Sequence, residues 1–459
     1  MMLRFFSKSL LLFASLALGL SLAANSAPPS RPNIIFIMPD DLGYGDLGCY
    51  GSEKIETPHI DRLATQGTRF TSCYAGASVC APSRGVLLTG LDTGHARIRD
   101  NSAEVGGTLE SFADGREGGM RISLTAHDYT VFELLKSAGY ATGATGKWGV
   151  GEPGSDGTPG KHGVDECFGY LNQNHAPYYY TDYLWRNDHK QTIPENRDRQ
   201  HAVYSNDLMA DFAVDFVQRH QKEPFFLYLP FTIPHDKIEV PDLGEYATKD
   251  WPEEAKIYAA MITQLDGYVG RLMAELERLG LAENTIVFFT SDNGPANHSF
   301  VDFFRSSGGM RGGKATLYEG GIRMPMIVRW PGHVPAGQTS DTPWMFADFL
   351  PTAAELAGVP APAGIDGESV LPLLKGEAPL KESRYLYWEF PRKGLWQAVR
   401  HGPWKAIRHG IDQPLELYNL ETDQNEEHNV AEQHPVIVAD LADWLKTARV
   451  PSPHWPDEE

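Results

Sequence analysis

The string Cys80-Ala81-Pro82-Ser83-Arg84, continuing through Gly85 to Gly90 as GVLLTG, sets a thiol, a proline and a guanidinium within about one helical turn. Pro82 fits the first turn of a helix, so residue 80 is expected at a helix amino terminus, where unpaired amides and the helix dipole favour an anion. Arg84 adds a forked cation matched to a tetrahedral oxyanion. A cysteine in an apolar setting is ordinarily an inert buried side chain, and it is these flanks that argue for chemistry. Two further groups offer hard oxygen donors: the adjacent carboxylates Asp40-Asp41 and the remote pair Asp292-Asn293. Carboxylates after strands often only cap helices, but two such pairs suit calcium, which takes about 6 to 8 oxygens, with magnesium as the alternative. Lys147, His235 and Lys314 carry weaker individual signals, because most lysines and histidines are surface or satisfied groups. Their delivery from strand ends or a Gly-rich loop raises the functional reading.

These residues need a scaffold that brings distant segments together. Four apolar runs share one grammar, a strand-like stretch that ends in a turn or small residue and then a polar side chain. Asn33-Ile34-Ile35-Phe36-Ile37 runs into Asp40-Asp41; Tyr140 to Gly146 delivers Lys147; PFFLYLPFT, 224–232, delivers His235; and Thr285-Ile286-Val287-Phe288-Phe289-Thr290 leads to Asp292-Asn293. Helical patterns over 58–66, 130–138, 205–220 and 253–280 lie between them. That alternation argues for an α/β fold with a doubly wound, mostly parallel sheet, whose ligands bind beyond the carboxyl ends of the strands. Four runs ending in coordinating or charged groups therefore point to one shared site. From residue 385 the pattern changes to short aromatic alternating runs, Tyr385–Phe390, 396–400 and 404–408, with an amphipathic helix over 435–447. This reads as a smaller C-terminal antiparallel sheet plus helix, giving a main domain over 31–384 and a subdomain over 385–459. Gly/Pro-rich stretches at 149–163 and 358–367 read as loops.

With 459 residues, 42% apolar and 22% charged, the chain has ordinary globular composition. Forty basic against 60 acidic side chains give a formal charge of −20, which repels polyanions and excludes a nucleic-acid partner. An anionic substrate must then be held by a local cluster of cations. Cys49, Cys73, Cys80 and Cys167 lack CxxC spacing and fit neither a disulfide scaffold nor a zinc site. Arg4 and Lys8 before the apolar run 10–24, followed by small residues, read as a signal peptide over 1–27, too short for a stable membrane span. Export to the periplasm or medium is the expectation. Two GxGxxG strings, at Gly43 to Gly48 and Gly149 to Gly154, fail as dinucleotide fingerprints because neither third glycine opens a helix. Gly146-Lys147 is not a P-loop either, since Trp148 stands where Ser or Thr is required.

The Cys80 to Arg84 motif with Thr89-Gly90 resembles the signature of the type I, formylglycine-dependent sulfatases of the alkaline phosphatase superfamily. The resemblance extends to DDLGYGD at Asp40 to Asp46, Gly146-Lys147-Trp148, Ile233-Pro234-His235, Ser291-Asp292-Asn293-Gly294, and Gly313-Lys314 with Tyr318-Glu319-Gly320-Gly321. It implies that a maturation enzyme oxidises Cys80 to a formylglycine, whose hydrate attacks sulfur beside a calcium ion held by Asp40, Asp41, Asp292 and Asn293, with residue 80 also in the metal sphere. It further implies that Arg84, Lys147 and Lys314 neutralise sulfate oxygens, that Asp292 accepts the nucleophile's proton, and that His235 protonates the leaving alcohol. Many relatives carry a histidine two residues after the Gly-Lys lysine; here Gly149 stands there. The alternative enzyme is a phosphodiesterase or phosphonate monoester hydrolase of the same superfamily, and the alternative of another class is a glycan-binding protein that has lost catalysis. The expected substrate is a sulfated carbohydrate, with galactose-based fragments as the first candidate. The aromatic stretch 172–187 is a candidate sugar platform, with core packing as the competing reading, and His95, Arg97 and Arg99 are expected near the site entrance.

Overall fold

The computed structural model describes residues 31–101, 110–111, 117–118, 121–377, 380, 384–392 and 394–456. The expected signal peptide lies outside the described residues.

The four apolar runs become neighbouring parallel strands in the order Thr285–Phe289, Asn33–Ile37, Phe225–Leu229, Ala141–Lys147. They can be continuously apolar because both faces are covered. Ile34 and Phe36 pack on one face with Phe226, Tyr228, Ile286 and Phe288. Ile35 and Ile37 pack on the other with Leu227, Leu229, Val287 and Phe289. The Phe36 ring lies 4.5 Å from that of Phe349 and 5.6 Å from that of Phe288, so the first face is an aromatic cluster that fixes register as well as burying area. The helices Pro58–Thr65, Val131–Ser137, Ser205–Arg219 and Glu253–Arg278 lie within two residues of their expected bounds. Thr130 and Glu133 close a capping box that starts the second of them.

The sheet extends beyond this parallel centre in ways the sequence pattern did not indicate. Arg323–Arg329 pairs antiparallel with Thr285–Phe289, and Thr68–Tyr74 pairs antiparallel with Arg323–Arg329. On the opposite side Glu166–Tyr170 adds a parallel strand, followed by the antiparallel hairpin of Tyr183–Arg186 and His189–Thr192. The sheet is therefore mixed at its edges.

The C-terminal region is an antiparallel sheet of Tyr385–Phe390, Trp396–His401, Trp404–His409 and a fourth, unexpected strand Glu416–Asn419, with the helix Pro435–Leu445. The Tyr385 ring stacks on Trp444 of that helix at 4.6 Å. Beneath this sheet the fully buried Lys405 ammonium meets Glu319 and Glu426, each at 2.8 Å. Arg99 is buried too, and pairs with Glu389 at 2.9 Å. This corrects its expected place at the site entrance: it ties the chain after the Cys80 helix to the C-terminal sheet. His95 likewise pairs with Asp366 and Asp92, and Arg97 donates to the Ser123 carbonyl. All four cysteines are free, so Cys49, Cys73 and Cys167 form no disulfide. Among the described residues no helix is long and apolar enough to cross a membrane.

Candidate active site

Cys80 is the first residue of the helix Cys80–Thr89, every residue of which is buried. The helix stops at Gly90, whose left-handed φ of 72° suits glycine. Its first turn is anchored twice: the Ala81 amide donates to Asn101 Oδ1 at 2.9 Å, and the Ser83 hydroxyl donates to the Asp292 carbonyl at 2.5 Å. The Asp292 carbonyl thus couples this helix to the end of a parallel strand.

The other residues arrive from strand ends. The Asp40 amide donates to the Ile233 carbonyl, the Asp292 amide to Pro39, and the Lys147 amide to Pro230, so the segments that follow four strands are laced together just past the sheet. Gly146 sits at a tight crossing, where a Cβ would fall 2.0 Å from the Pro230 carbonyl oxygen and φ is +137°. Lys314 comes from a Gly-rich loop held by its amide to Pro295, while the next amide, of Ala315, donates to Ser78.

The resulting cluster alternates charge. Asp40 lies 3.3 Å from Cys80 Sγ and 2.6 Å from Lys147 Nζ. Asp292 Oδ2 accepts from Arg84 Nε and Nη2 at 3.1 and 2.7 Å, and Arg84 Nη2 is 3.5 Å from Asp40. Asp41 accepts from Lys314 Nζ and from Asn293 Nδ2, both at 2.7 Å. Lys314 Nζ lies 3.1 Å from His235 Nε2, which is itself 3.6 Å from Asp41. All nine residues singled out from the sequence, Asp40, Asp41, Cys80, Arg84, Lys147, His235, Asp292, Asn293 and Lys314, meet in this one cluster.

Burial sets their protonation. Burial raises the Asp40 carboxyl, yet Lys147, His235, Arg84 and Lys314 together hold it well below the carboxylate range. Asp292 is pushed up to about 7 by burial and by Asp40, against the pull of Arg84. The Cys80 thiol is pushed up to about 12 by burial and then Asp40. The shift disfavours the thiolate, so the unmodified side chain is a poor nucleophile. His235 is lowered to about 4, chiefly by burial, and is a neutral imidazole in this cluster. Since Lys314 is held charged by Asp41, it donates to His235 Nε2 and leaves the ring proton on Nδ1, which has no hydrogen-bond partner.

A cation fits here. Ligand atoms of Asp40, Asp41, Cys80 and His235 all lie within 4.8 Å of one another, and the buried Asn293 Oδ1 beside Asp41 has no hydrogen-bond partner. Three carboxylates already balance Arg84, Lys147 and Lys314 in charge, so a dication held by these oxygens leaves two positive charges facing an incoming anion.

Several contributors were not singled out from the sequence. Gln173 Nε2 donates to Asn101 Oδ1 and to the Gly149 carbonyl, both at 3.3 Å. A Cβ at residue 149 would lie 3.4 Å from both Arg84 and Gln173, on a left-handed backbone with φ of +75°. Glycine at 149 is thus matched to the close approach of Gln173. In the 172–187 stretch Tyr179, Tyr183 and Trp185 are buried in the core, which corrects the sugar-platform reading for those rings. It is the polar Gln173 and Asn174 that line the cavity, together with Asn101, Arg121, Lys147, His235 and Arg392.

This chemistry and fold define a hydrolase that handles a tetrahedral oxyanion at the carboxyl ends of a parallel sheet. The sulfatase family profile matches residues 32–359, and a second, N-sulphoglucosamine sulphohydrolase C-terminal, matches 313–450. The chain belongs to the sulfatase family and is a sulfuric ester hydrolase. It is 35% identical over 396 residues to N-acetylgalactosamine-6-sulfatase of Mus musculus, covering 81% of this chain and 71% of that protein. It is 35% identical to arylsulfatase A of Homo sapiens, covering 82% and 74%. The crystal structure of Ps i-CgsB superposes with a TM-score of 0.79 at 30% identity over 94% of this chain and 95% of that one. The same protein has been solved in complex with k-i-k-neocarrahexaose.

Proposed function

We propose that the protein is an exported sulfatase that removes sulfate from carbohydrate, with Cys80 converted to formylglycine by a maturation enzyme and a calcium ion held by Asp40, Asp41, Asp292 and Asn293. The observation that carries this reading is the buried residue 80 at a helix start, 3.3 Å from Asp40 and amid the converging cations Arg84, Lys147 and Lys314. The hydrated aldehyde supplies an oxygen nucleophile that the thiol cannot, and calcium supplies charge stabilisation for the sulfate oxygens.

The chain's own residues do the rest. Arg84, Lys147 and Lys314 offer fixed cations to the three non-bridging sulfate oxygens, and being already oriented by Asp292, Asp40 and Asp41 they need little reorganisation. Asp292, held by Arg84 and coupled through its own carbonyl to the first turn of the residue 80 helix, is the carboxylate suited to accept the nucleophile's proton. Lys314 and His235 form a donor pair through which a proton reaches the leaving alcohol. As His235 gives its Nδ1 proton to the alcohol it takes one from Lys314 at Nε2, so the imidazole stays neutral and the pair, now one proton short, is the base for the second step, the work for which Gly149 offers no side chain. Residues 385–459 form an appended subdomain whose buried Lys405 braces the loop bearing Lys314. Similarity to N-acetylgalactosamine-6-sulfatase and to a structure solved with k-i-k-neocarrahexaose supports a sulfated galactose-type sugar as substrate.

The test is to compare release of sulfate from an aryl sulfate with hydrolysis of an aryl phosphodiester and a phosphonate monoester. A preference for the sulfate of 100-fold or more in kcat/KM is expected. A preference for the phosphorus esters would assign the site to phosphoryl transfer, and binding of sulfated sugars with no turnover of any ester would assign it to a lectin-like role.

A further inference from the structure

The cavity that contains Lys147 and His235 continues outward to Asn101, Arg121, Gln173, Asn174, Asp236, Lys237 and Arg392, with a volume of about 680 Å³. Its lining carries four cations, Arg121, Lys147, Lys237 and Arg392, against the single carboxylate of Asp236. This is a concentrated reversal of sign in a chain whose formal charge is −20. Lys147 belongs to the reacting centre. Among the outer cations, Arg392 is offset by Asp100 at 3.0 Å and Lys237 lies over the Tyr178 ring at 3.4 Å, while Asp236 is occupied by His298 at 2.6 Å.

Arg121 differs from the others. Its guanidinium donates to the Asn101 carbonyl and, at 2.6 Å, to Asn174 Oδ1, yet it makes no ion pair with a carboxylate among the described residues. Its Nε is buried with no hydrogen-bond partner. Burial lowers its pKa, which only the more distant Glu152, Cys80 and Asp100 offset. A half-buried guanidinium held by two neutral oxygens, with a donor to spare, is an incomplete site, because partly withdrawing a charge from water without a counter-ion is costly. Asn101, which accepts from Arg121 through its carbonyl and from the Ala81 amide through its side chain, ties Arg121 directly to the turn that carries residue 80.

We propose that Arg121 binds a second anionic group of the substrate, a sulfate or a carboxylate borne on the sugar that carries the scissile sulfate or on its neighbour, with Arg392 and Lys237 adding field at the rim. The inference rests on the sulfatase reading and narrows its substrate from sulfated sugars in general to those bearing at least two anionic groups. A charge-assisted pair of this kind contributes about tenfold to a hundredfold in affinity.

The experiment uses the matured full-length enzyme and three probes: galactose-type disaccharides carrying one sulfate, the same sulfate plus a second one, and the same sulfate plus a uronate carboxylate. The parent should favour one or both dianionic probes over the monosulfated probe by tenfold or more in kcat/KM. Arg121→Gln should collapse that ratio to within about threefold of unity, and Arg121→Lys should retain part of it, since charge survives where the fork does not. Whichever dianionic probe loses more identifies the group as sulfate or carboxylate. No preference in the parent, or the same ratio in Arg121→Gln, overturns the proposal. Should the parent release sulfate from no ester, the sulfatase reading fails, and calorimetric binding of the same probes still reads the subsite: equal affinity of parent and Arg121→Gln for the dianionic saccharides would overturn it separately.

Discussion

Replacing Lys405 with methionine removes the one ammonium between two buried carboxylates, and the structure fixes what should follow. Lys405, Glu319 and Glu426 are all fully buried, and both carboxylates lie 2.8 Å from Nζ. Burial would raise Glu319, but Lys405, Arg323 and Arg400 hold it down at about 2, so it stays ionised. Glu426 is pushed up to about 7, by burial first and by Glu319, even with the lysine present. Deleting one partner of a buried ion pair costs about 3–5 kcal/mol, and Arg323 remains 3.3 Å from Glu319 to soften the loss at that end. Protonation of Glu426 softens it at the other end. An acid whose folded pKa lies above its unfolded value of about 4.5 destabilises the fold progressively as pH rises through that window, and the variant moves the upper end of the window higher. Urea unfolding of Lys405→Met should therefore show a deficit of about 3–5 kcal/mol at pH 8 and a smaller one at pH 6. Adding Glu426→Gln should recover much of the deficit at pH 8. Activity should fall with stability, because Glu319 begins the short helix Glu319–Ile322, where Gly320 is bonded to Arg311 and Gly321 to Gly294, on either side of Lys314 and beside Asn293. A deficit below about 1 kcal/mol at both pH values, or no recovery in the double variant, would refute this account of the buried charges.

Asp41→Ala and Asp292→Ala should each abolish turnover and lower calcium affinity measured by calorimetry, because each strips Lys314 or Arg84 of its nearest carboxylate as well as removing an oxygen ligand; full activity in demonstrably metal-free protein would exclude the metal site. His235→Ala should stay slow, by about 100-fold or more in kcat, even on a nitrophenyl sulfate whose leaving group needs no acid, because the second step still lacks its base. Parent-like turnover of that ester would leave His235 an acid only.

Much of this site could be read from the sequence because parallel strands covered on both faces are uninterrupted apolar runs, and each ends where chemistry begins. Asn33–Ile37 and Thr285–Phe289 are such runs, and the polar residues just past them are Asp40-Asp41 and Asp292-Asn293. The antiparallel strands were harder to see. Arg323–Arg329 begins and ends in arginines that are buried against glutamate, tyrosine and carbonyl oxygens, and Thr68–Tyr74 has neither a continuous apolar run nor a regular alternation, its apolar residues being Phe70, Cys73 and Tyr74. The stretches 93–101 and 172–187 were singled out for their cations and aromatics, yet they serve the cavity through Asn101, Gln173 and Asn174. A single amide in a loop has no periodicity to betray it. Nor does a lysine such as Lys405, whose burial depends on partners 86 residues before it and 21 after it.

The central claim is that residue 80 does not act as cysteine, and mass analysis of the peptide containing it, from protein whose sulfate release has been measured, tests that claim most directly. The account predicts an aldehyde at residue 80 in a fraction of molecules that scales with specific activity across preparations, and no multiple turnover in Cys80→Ser. Full specific activity from protein in which every molecule retains an unmodified Cys80 thiol would contradict it.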